Sequence, residues 1–486
     1  MRYLLILFAF TSATYLSAQS ALKFQQSYGG SGYEYGYGIV QTPDLGYAVA
    51  GTTSSGGSTD GWLVRTDSLG LLLWTKYYSL SQIDVLRSII LLPDSGFALA
   101  GYTNSVGNGG YDAWVIRTDK NGDTLWTKSY GTTDWDFFYS ITATWDGGFL
   151  CAGGTYGIGN GDEDIYLVRL DANGNELWTK TIGGTRMDEA RSVIETSDSL
   201  YAVAANSFSL GDTLGDGWLL HLDATGDTLW TQKNGYRDTA DFIYDVCDLA
   251  YLDRVLVCGE VNAADQNVFI RSYGYAGNTN FTLSFPSAGN ERFNGIAVRP
   301  DNSFGTTGFT SSLGWANGDA WFFTDDGFIT TTFGQGFGTD ELFDITGTAD
   351  NGFAACGYMT PNGNLLPDLY LVKIDSTGYS TMVLGIFDAE TSASTATVFV
   401  YPNPAVDAAV LQITSRNTIT ETPQLRVYDA AGRDVTNTVN VVWSTSSNNR
   451  ATASLGFENA AGGLYFYSIL IDGVSAGSGK LLVNKQ

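Results

Sequence analysis

The stretch from Gly110 to Gly131, GYDAWVIRTDKNGDTLWTKSYG, decides the fold because close copies of it recur along the chain. Its first half is an apolar run between two aspartates, and its second half is an Asn-Gly turn signal followed by a tryptophan-bearing run. Copies of the first half begin at Asp60, Asp112, Asp164, Asp216, Gln266, Asp319 and Asp368. The first four of these positions stand 52 residues apart, which predicts one repeated supersecondary unit.

Each unit carries four strand-like runs, which in the second unit span residues 87–92, 97–103, 114–119 and 124–130. Turn signals such as PDSG and KNGD separate them. A lone four-stranded sheet exposes two apolar faces, so such units must pack against one another. Seven repeats of four antiparallel strands predict an all-β fold, a seven-bladed β-propeller over residues 20–388.

The start of the repeated region supports a closed ring. Residues 24–29, FQQSYG, align with the fourth run of a complete unit, WTKSYG at 126–131. This extra strand is expected to complete the last blade, although residues 380–387 provide a second candidate. The sequence alone leaves both interpretations open.

The repeat differs from the tryptophan-aspartate, kelch and sialidase Asp-box patterns. It resembles loosely characterised propeller-type repeats of bacterial surface proteins over about residues 21–388, through the segments DKNGDTLWTK at 119–128 and DANGNELWTK at 171–180. That resemblance implies a fold rather than an activity.

Charge and the N-terminus indicate export and restrict the partners. The chain has 51 Asp plus Glu against 25 Lys plus Arg, a net charge of -26, which repels nucleic acid and anionic lipid surfaces. Arg2, the apolar residues 4–10 and the small residues 17–19 are typical of a secretory signal peptide over residues 1–19. No later stretch approaches the ~18 apolar residues of a membrane span, so no transmembrane segment is expected after signal removal.

A short linker, residues 389–397, precedes a second region, 398–486, whose strand-like runs predict a small immunoglobulin-like β-sandwich. Its landmarks, in order, are Tyr401, Pro402, Asn403, Pro404, Gly432, Gly463, Tyr465, Gly479 and Lys480. This region resembles the type A C-terminal sorting domain of the type IX secretion system of Bacteroidota. The resemblance implies passage through the periplasm, recognition by the type IX machinery, and release or attachment at the outer cell surface. An ordinary immunoglobulin-like end cap is the alternative.

Histidine and cysteine give little support to catalysis or metal binding. His221 is the only histidine, so His-based triads and transition-metal sites are not expected, and its place in the repeat indicates a strand-surface role. The four cysteines lack CxxC spacing, and Cys247 and Cys258 either pair within one hairpin or remain core thiols. The Asp-x-Asn-Gly-Asp segment at 119–123 favours a hairpin turn over a calcium loop, so no cofactor is predicted and calcium remains an open alternative.

One acid precedes the first strand of every unit, at Glu34, Asp84, Asp136, Asp188, Asp241, Glu291 and Asp340. If the first strand is innermost, these carboxylates ring the mouth of a central channel. They either form an acidic binding ring or accept hydrogen bonds from the backbone of their own loops.

Residues that break the repeat are better candidates for a ligand site. Trp135, Trp315, Asp162 and Glu163 fall in loops on the same predicted face, outside the repeated positions. Aromatic rings beside carboxylates suit the recognition of a glycan, a peptide or a surface protein. A non-enzymatic binding module is therefore predicted, with a carboxylate-dependent glycoside hydrolase or lyase and a structural adhesion component as alternatives.

Overall fold

The structure is a computed structural model. It describes residues 23–54, 57–79, 81–210, 214–235, 239–262, 267–285, 289–313, 318–326, 329–334, 338–360, 366–375, 396–401, 408–415, 419, 422–429, 435–447, 450–461, 463–471, 474–483 and 485. The predicted signal peptide, most of the linker, Trp315, Pro402, Asn403, Pro404, Gly432 and the candidate closing segment 380–387 lie outside these residues.

The described chain is all-β, apart from the 3₁₀ turns Ala250–Leu252 and Thr436–Thr438. The strands of the repeated region are β1 (Phe24–Tyr28), β2 (Glu34–Gln41), β3 (Tyr47–Thr53), β4 (Asp60–Thr66), β5 (Leu72–Tyr78), β6 (Asp84–Leu91), β7 (Phe97–Thr103), β8 (Asp112–Thr118), β9 (Thr124–Tyr130), β10 (Asp136–Ala143), β11 (Phe149–Thr155), β12 (Asp164–Leu170), β13 (Glu176–Ile182), β14 (Asp188–Glu195), β15 (Tyr201–Ser207), β16 (Asp216–Leu222), β17 (Thr228–Asn234), β18 (Ala240–Leu249), β19 (Arg254–Asn262), β20 (Asn267–Gly274), β21 (Thr279–Phe285), β22 (Glu291–Val298), β23 (Phe304–Thr310), β24 (Asp319–Thr324), β25 (Ile329–Phe333), β26 (Glu341–Gly347), β27 (Phe353–Met359) and β28 (Asp368–Ile374).

These strands form antiparallel sheets of four. Sheets 1 to 6 are β2–β5, β6–β9, β10–β13, β14–β17, β18–β21 and β22–β25, each taken in chain order. Sheet 7 consists of β26, β27 and β28, and β1 supplies its fourth strand. Sheets 4 and 5 are joined by one parallel residue pair, Asp216 with Asp241.

The sheets close into a ring. Each first strand contacts the first strand of the next sheet, and β26 of sheet 7 contacts β2 of sheet 1. A backbone hydrogen bond recurs at these contacts: the N–H of Asp136 donates to the Tyr111 carbonyl over 2.7 Å, and that of Asp188 donates to the Glu163 carbonyl over 2.7 Å. Glu34 makes the same bond to Pro367 over 2.8 Å, so sheet 7 meets sheet 1 as the other neighbours meet.

The N-terminal strand completes the last sheet, as its alignment with a fourth run predicts. β1 pairs antiparallel with β28, from Phe24 opposite Lys373 to Tyr28 opposite Leu369. Phe24 is 2% exposed and belongs to a core shared by sheets 7 and 1, with Val49 and Leu371. The two ends of the repeated region therefore depend on each other.

The sequence pattern accounts for the layers within a sheet. The second strands β3 and β11 are buried along their whole length, which their small and apolar residues permit on both faces. The fourth strands β9 and β13 alternate between exposed and half-buried residues, as expected of an outer edge. The core lies between neighbouring sheets, where burial of a large apolar side chain contributes about 1.5–3 kcal/mol.

The repeated Asp-x-Asn-Gly segment is a hairpin turn. The Asp119 carboxylate accepts hydrogen bonds from the backbone N–H groups of Asn121 at 2.8 Å and Asp123 at 2.9 Å. Gly122 follows with φ of +76°, a conformation that favours glycine. The segment's residues are thus explained by turn geometry.

The C-terminal region contains two sheets around one core. Its strands are β29 (Ala396–Tyr401), β30 (Ala408–Ser415), β31 (Gln424–Asp429), β32 (Asn440–Ser447), β33 (Arg450–Gly456), β34 (Gly463–Ile471) and β35 (Val474–Val483). One sheet has the order β29-β30-β33-β32 and the other β31-β34-β35. Leu411 of the first sheet and Ile469 of the second lie in the same apolar cluster. Of the predicted landmarks, Tyr465 donates its hydroxyl to the Ala461 carbonyl over 2.7 Å, Gly463 begins β34, Gly479 and Lys480 lie in β35, and Tyr401 ends β29.

Candidate functional site

The seven repeated acids are buried and do not form a solvent-facing ring. Glu34, Asp84, Asp136, Asp188, Asp241, Glu291 and Asp340 are all 0–1% exposed. Their carboxylates accept hydrogen bonds from nearby loops, for example from the N–H of Thr132 to Asp136 over 2.6 Å and from that of Thr360 to Asp340 over 2.9 Å. Since a buried carboxylate needs such donors, the repeated acids hold the loops on this face, as in the second of the two interpretations.

Three loops of sheets 2 and 3, together with the ends of β7 and β10, bring a group of aromatic side chains to this face. We call the group the aromatic platform; its members are Tyr102, Tyr111, Trp135, Phe137 and Tyr156. The Trp135 ring centroid lies 5.9 Å from that of Tyr111 and 5.8 Å from that of Tyr156. Trp135 is 50% exposed and Tyr156 is 39% exposed, so their rings are available to a ligand.

The glycine-rich loop before β8 lies directly against the Trp135 ring. A Cβ atom at Gly110 would be 2.1 Å from the Trp135 ring, so only glycine leaves room for it. This loop, which breaks the repeat, therefore positions the exposed tryptophan.

Carboxylates adjoin the platform, as predicted. The Tyr156 hydroxyl donates to Glu163 Oε2 over 2.9 Å, and the neighbouring Asp162 is exposed. Glu163 is only 3% exposed, and burial, followed by the negative charge of Glu189, raises the pKa of its carboxyl to about 7. The structure thus links Trp135, Glu163 and Asp162 through Tyr156, whereas Trp315 lies outside the described residues.

The centre of the ring contains side chains that the sequence motifs did not indicate. The third residue after each repeated acid is the extra residue of a β-bulge in the innermost strand. Bulges turn a side chain out of the regular alternation. We call this set the channel belt; its members are Tyr37, Arg87, Tyr139, Arg191, Tyr244, Asn294 and Phe343.

Belt side chains of neighbouring sheets contact one another. Tyr37 stacks on Phe343 with ring centroids 5.2 Å apart, which joins sheets 1 and 7. The Arg87 guanidinium lies 4.1 Å from the Tyr37 centroid and 5.6 Å from that of Tyr139, and the Arg191 guanidinium lies 5.3 Å from Tyr139. These contacts place the belt around the ring axis. Aligning the units at the third position after the acid would have revealed it, because that position changes from unit to unit.

Half-buried carboxylates follow the belt in two sheets. Asp245 Oδ2 accepts the Ile296 N–H of the next sheet over 2.8 Å, and Asp344 Oδ2 accepts the Ile39 N–H over 2.8 Å. Burial raises the pKa of Asp245 to about 6, and burial together with the charge of Asp245 raises that of Asp344 to about 7. These groups join neighbouring sheets beneath the belt.

His221 is a core residue rather than the predicted strand-surface residue. It is 1% exposed and stacks on Trp230 with centroids 4.9 Å apart, and neither ring nitrogen has a hydrogen-bond partner among the described residues. Burial lowers its pKa. A buried, unpartnered imidazole favours the neutral form, so packing accounts for it.

The cysteines are free thiols. In the β18–β19 hairpin, Cys247 lies opposite Leu256 and Cys258 lies opposite Asp245, so the two are offset and do not face each other. Burial raises the pKa of both thiols.

Neither a metal cluster nor a membrane helix is found in the described part of the chain. No three or more Asp, Glu, His or Cys side chains are grouped there to hold a metal ion. Within the same residues, no helix combines the length and the hydropathy of a membrane span.

With an all-β, propeller-like ring and an aromatic face established, the comparisons concern the second region. Residues 399–484 match the family described as "Secretion system C-terminal sorting domain". This domain indicates a protein that is handled by the type IX secretion machinery and exported, with secretion or outer-surface attachment. The resemblance of the C-terminal region to that family is confirmed over this segment.

The comparisons also include more distant similarities. "Regulatory protein FlaEY" of Caulobacter vibrioides (strain ATCC 19089 / CIP 103742 / CB 15) is 28% identical over 163 residues, which cover 28% of this chain and 17% of that protein. Sqt1 from Chaetomium thermophilum matches at TM-score 0.42 and 12% identity over 80% of this chain and 95% of its own. A puromycin hydrolase matches at TM-score 0.45 and 11% identity, and the match covers 80% of this chain and 62% of the hydrolase chain. Because both TM-scores are below 0.5, neither structure carries an argument about fold or activity.

Proposed function

We propose that this protein is a seven-bladed β-propeller with a C-terminal immunoglobulin-like sorting domain, exported to bind a glycan on its aromatic platform. The cyclic contacts of the first strands and the pairing of β1 with β28 support the blade count. The two sheets around one C-terminal core support the sandwich. Sheets 1 to 7 are then the blades.

The carrying observation for glycan binding is the exposed Trp135 ring beside Tyr156 and Asp162. Sugar rings present C–H faces that stack on aromatic rings, and their hydroxyls donate to carboxylates. Trp135 is 50% exposed, and its ring contacts those of Tyr111 and Tyr156. Exposed aromatic rings that are grouped together, here Trp135 and Tyr156, favour a contact surface for a partner.

The test is a glycan array, followed by calorimetry, with the mature chain from residue 20. Trp135→Ala is expected to lower the affinity for the bound glycan at least about tenfold, equivalent to about 1.4 kcal/mol. Trp145→Ala is the matched control, because Trp145 is 74% exposed at the opposite end of the same strand, β10. Equal losses in the two variants, or binding that survives in both, would refute the platform as the site. Silence across the array would favour a structural adhesion role.

A glycoside hydrolase is the second candidate, favoured by the raised pKa of Glu163 next to Glu189. A carboxyl group with a pKa of about 7 can act as a general acid. Against this role, Glu163 is 3% exposed and its Oε1 atom is buried, so a substrate does not reach it in this conformation. Release of reducing ends from the bound glycan, abolished by Glu163→Gln, would establish the hydrolase instead.

A further inference from the structure

Three arginines extend from innermost strands toward the ring axis, and their electrostatic partners differ. Arg191 forms an ion pair with Glu189, and the Arg292 guanidinium lies 2.7 Å from Glu341. Arg87 has no ion pair with any carboxylate in the described part of the chain; its contacts there are to the tyrosine rings of the belt. In a chain of net charge -26, a half-buried arginine without an acidic partner is unexpected.

The surroundings of Arg87 suit an anionic group. Its guanidinium lies over the Tyr37 ring at 4.1 Å and near the Tyr139 ring at 5.6 Å. Its positive charge also acts on the hydroxyls of Tyr37, Tyr102 and Tyr139, opposing the burial that raises the pKa of each. Phenol hydroxyls are donors at neutral pH, and a guanidinium can bind a carboxylate with two parallel hydrogen bonds.

The side chains around Arg87 are continuous with the aromatic platform. Tyr102 of the platform contacts Phe137 with centroids 5.0 Å apart and Tyr111 at 5.5 Å. Phe137 in turn stacks on Tyr139 of the belt at 6.0 Å. An unbroken path of aromatic rings therefore leads from the exposed Trp135 to the guanidinium of Arg87.

We propose that Arg87 is a carboxylate-binding subsite and that the ligand of the platform is a glycan containing uronic acid. The inference rests on the proposed function for the stacking of the sugar, and it adds the charge of the ligand. The acidic surface repels anions at long range, so the attraction is confined to the immediate surroundings of the half-buried guanidinium. A carboxylate carried on a sugar ring satisfies both the aromatic walls and the cation.

The experiment compares uronic acid trisaccharides with their methyl esters, which keep the sugar backbone and lose the charge. Isothermal titration of the mature full chain is expected to show at least about tenfold tighter binding of the acid than of the ester, a difference of about 1.4 kcal/mol. Arg87→Gln should remove that preference, so that the acid and the ester bind with similar affinity. Arg87→Lys, which keeps the charge without the fork of donors, should retain part of it.

The control is Arg186→Gln, which removes a positive charge from an exposed loop on the same face. Thermal unfolding of each variant checks that the ring remains folded. Equal binding of acid and ester, or a preference that survives Arg87→Gln, overturns the subsite while the platform stands. Loss of preference in Arg186→Gln as well indicates general electrostatics and also overturns it. Binding of neither trisaccharide overturns the subsite, whereas only silence across the whole glycan array overturns the proposed function.

Discussion

The outer seams between neighbouring sheets and the belt at the centre of the ring are built in opposite ways. At the seams the same contact recurs: Trp74 lies against Gly122, Trp126 against Gly174, Trp178 against Gly226, and Trp230 against Gly277. In the belt, the equivalent position holds tyrosine, arginine, asparagine or phenylalanine in different sheets. Every seam must solve the same packing problem, whereas a ligand contacts only part of the ring.

This difference separates scaffold from candidate site. The repeated Asp, Gly and Trp residues gave the stretch from Gly110 to Gly131 the look of a binding site. In the structure, these residues form turns and the seams between sheets. The side chains assigned to ligand binding, Trp135 and Arg87, occupy positions where the units differ. Substitutions at repeated positions should therefore change stability, and substitutions at varying positions should change binding.

The largest effect is expected where the ring closes. Phe24→Ala should lower the free energy of unfolding by about 3–5 kcal/mol. The Phe24 side chain is 2% exposed, and its removal leaves a cavity at the junction of sheets 7 and 1. Chemical denaturation measures the change. Gln26→Ala, in the same strand but half-buried, is the control and should have a much smaller effect. If Phe24→Ala were as mild as the control, another segment such as 380–387 would have to complete sheet 7.

The next effect tests the seam itself. Gly174 has φ of +71° and a Cβ there would be 2.7 Å from the Trp126 ring, so Gly174→Ala should destabilise by about 2–3 kcal/mol through backbone strain plus overpacking. Gly147 has φ of +85°, and a Cβ there would meet no atom within 4 Å, so Gly147→Ala is the matched control and should lose only about 1 kcal/mol. Denaturation of both variants gives the difference. Equal losses would show that the tryptophan contact contributes nothing.

A pH-dependent effect should come from His221. Other sheets have a cationic residue at this position of the repeat, namely Arg65, Arg117, Arg169, Arg271 or Lys373. Because burial lowers the pKa of His221 in the folded state, the unfolded chain takes up the proton first as pH falls through about 6.5. The free energy of unfolding of the wild type, relative to His221→Phe, should therefore fall between pH 8 and pH 5, by no more than about 1.4 kcal/mol per pH unit. The carboxylates titrate in both proteins and cancel in this difference. Parallel curves would mean that His221 is not buried in its neutral form.

The smallest effect is expected at the exposed ends of the seams. Lys180 Nζ lies 2.7 Å from Asp227 Oδ1, but 69% of the aspartate side chain is exposed. Asp227→Asn should change the free energy of unfolding by less than about 0.5 kcal/mol, and added salt should reduce the change further. A loss above about 1 kcal/mol would show that this pair, and not only the Trp-Gly contact, holds the seam.

Much of the fold could be predicted because the repeated pattern is local. Strand runs, turn glycines and the alignment of residues 24–29 with a fourth strand depend on residues close in sequence, and the structure confirms the all-β sheets of four strands. Trp135 and Glu163 could be proposed as neighbours because both precede strands on one face. The predictions of binding rather than catalysis, and of a glycan or protein partner, remain predictions.

Burial was the property that the pattern predicted least well. For the seven acids the sequence left two interpretations open, and in the structure they are buried and accept hydrogen bonds from nearby loops. His221 was placed on a strand surface, yet Trp230 and Tyr275 enclose it. The error at His221 arises because the rings that cover it come from another strand and from the next sheet.

The sequence by itself determined the repeat, the type of secondary structure and the position of the turns, since each depends on short-range spacing. The C-terminal sorting domain was recognised by its resemblance to a known family. Only the tertiary structure decided which side chains meet at the axis, because a bulge redirects one residue in each innermost strand and the ring then brings those residues together from units about fifty positions apart. The same closure leaves Arg87 among tyrosines without an acidic partner in the described chain. That contact depends on three sheets packed side by side, so no single unit of the sequence contains it.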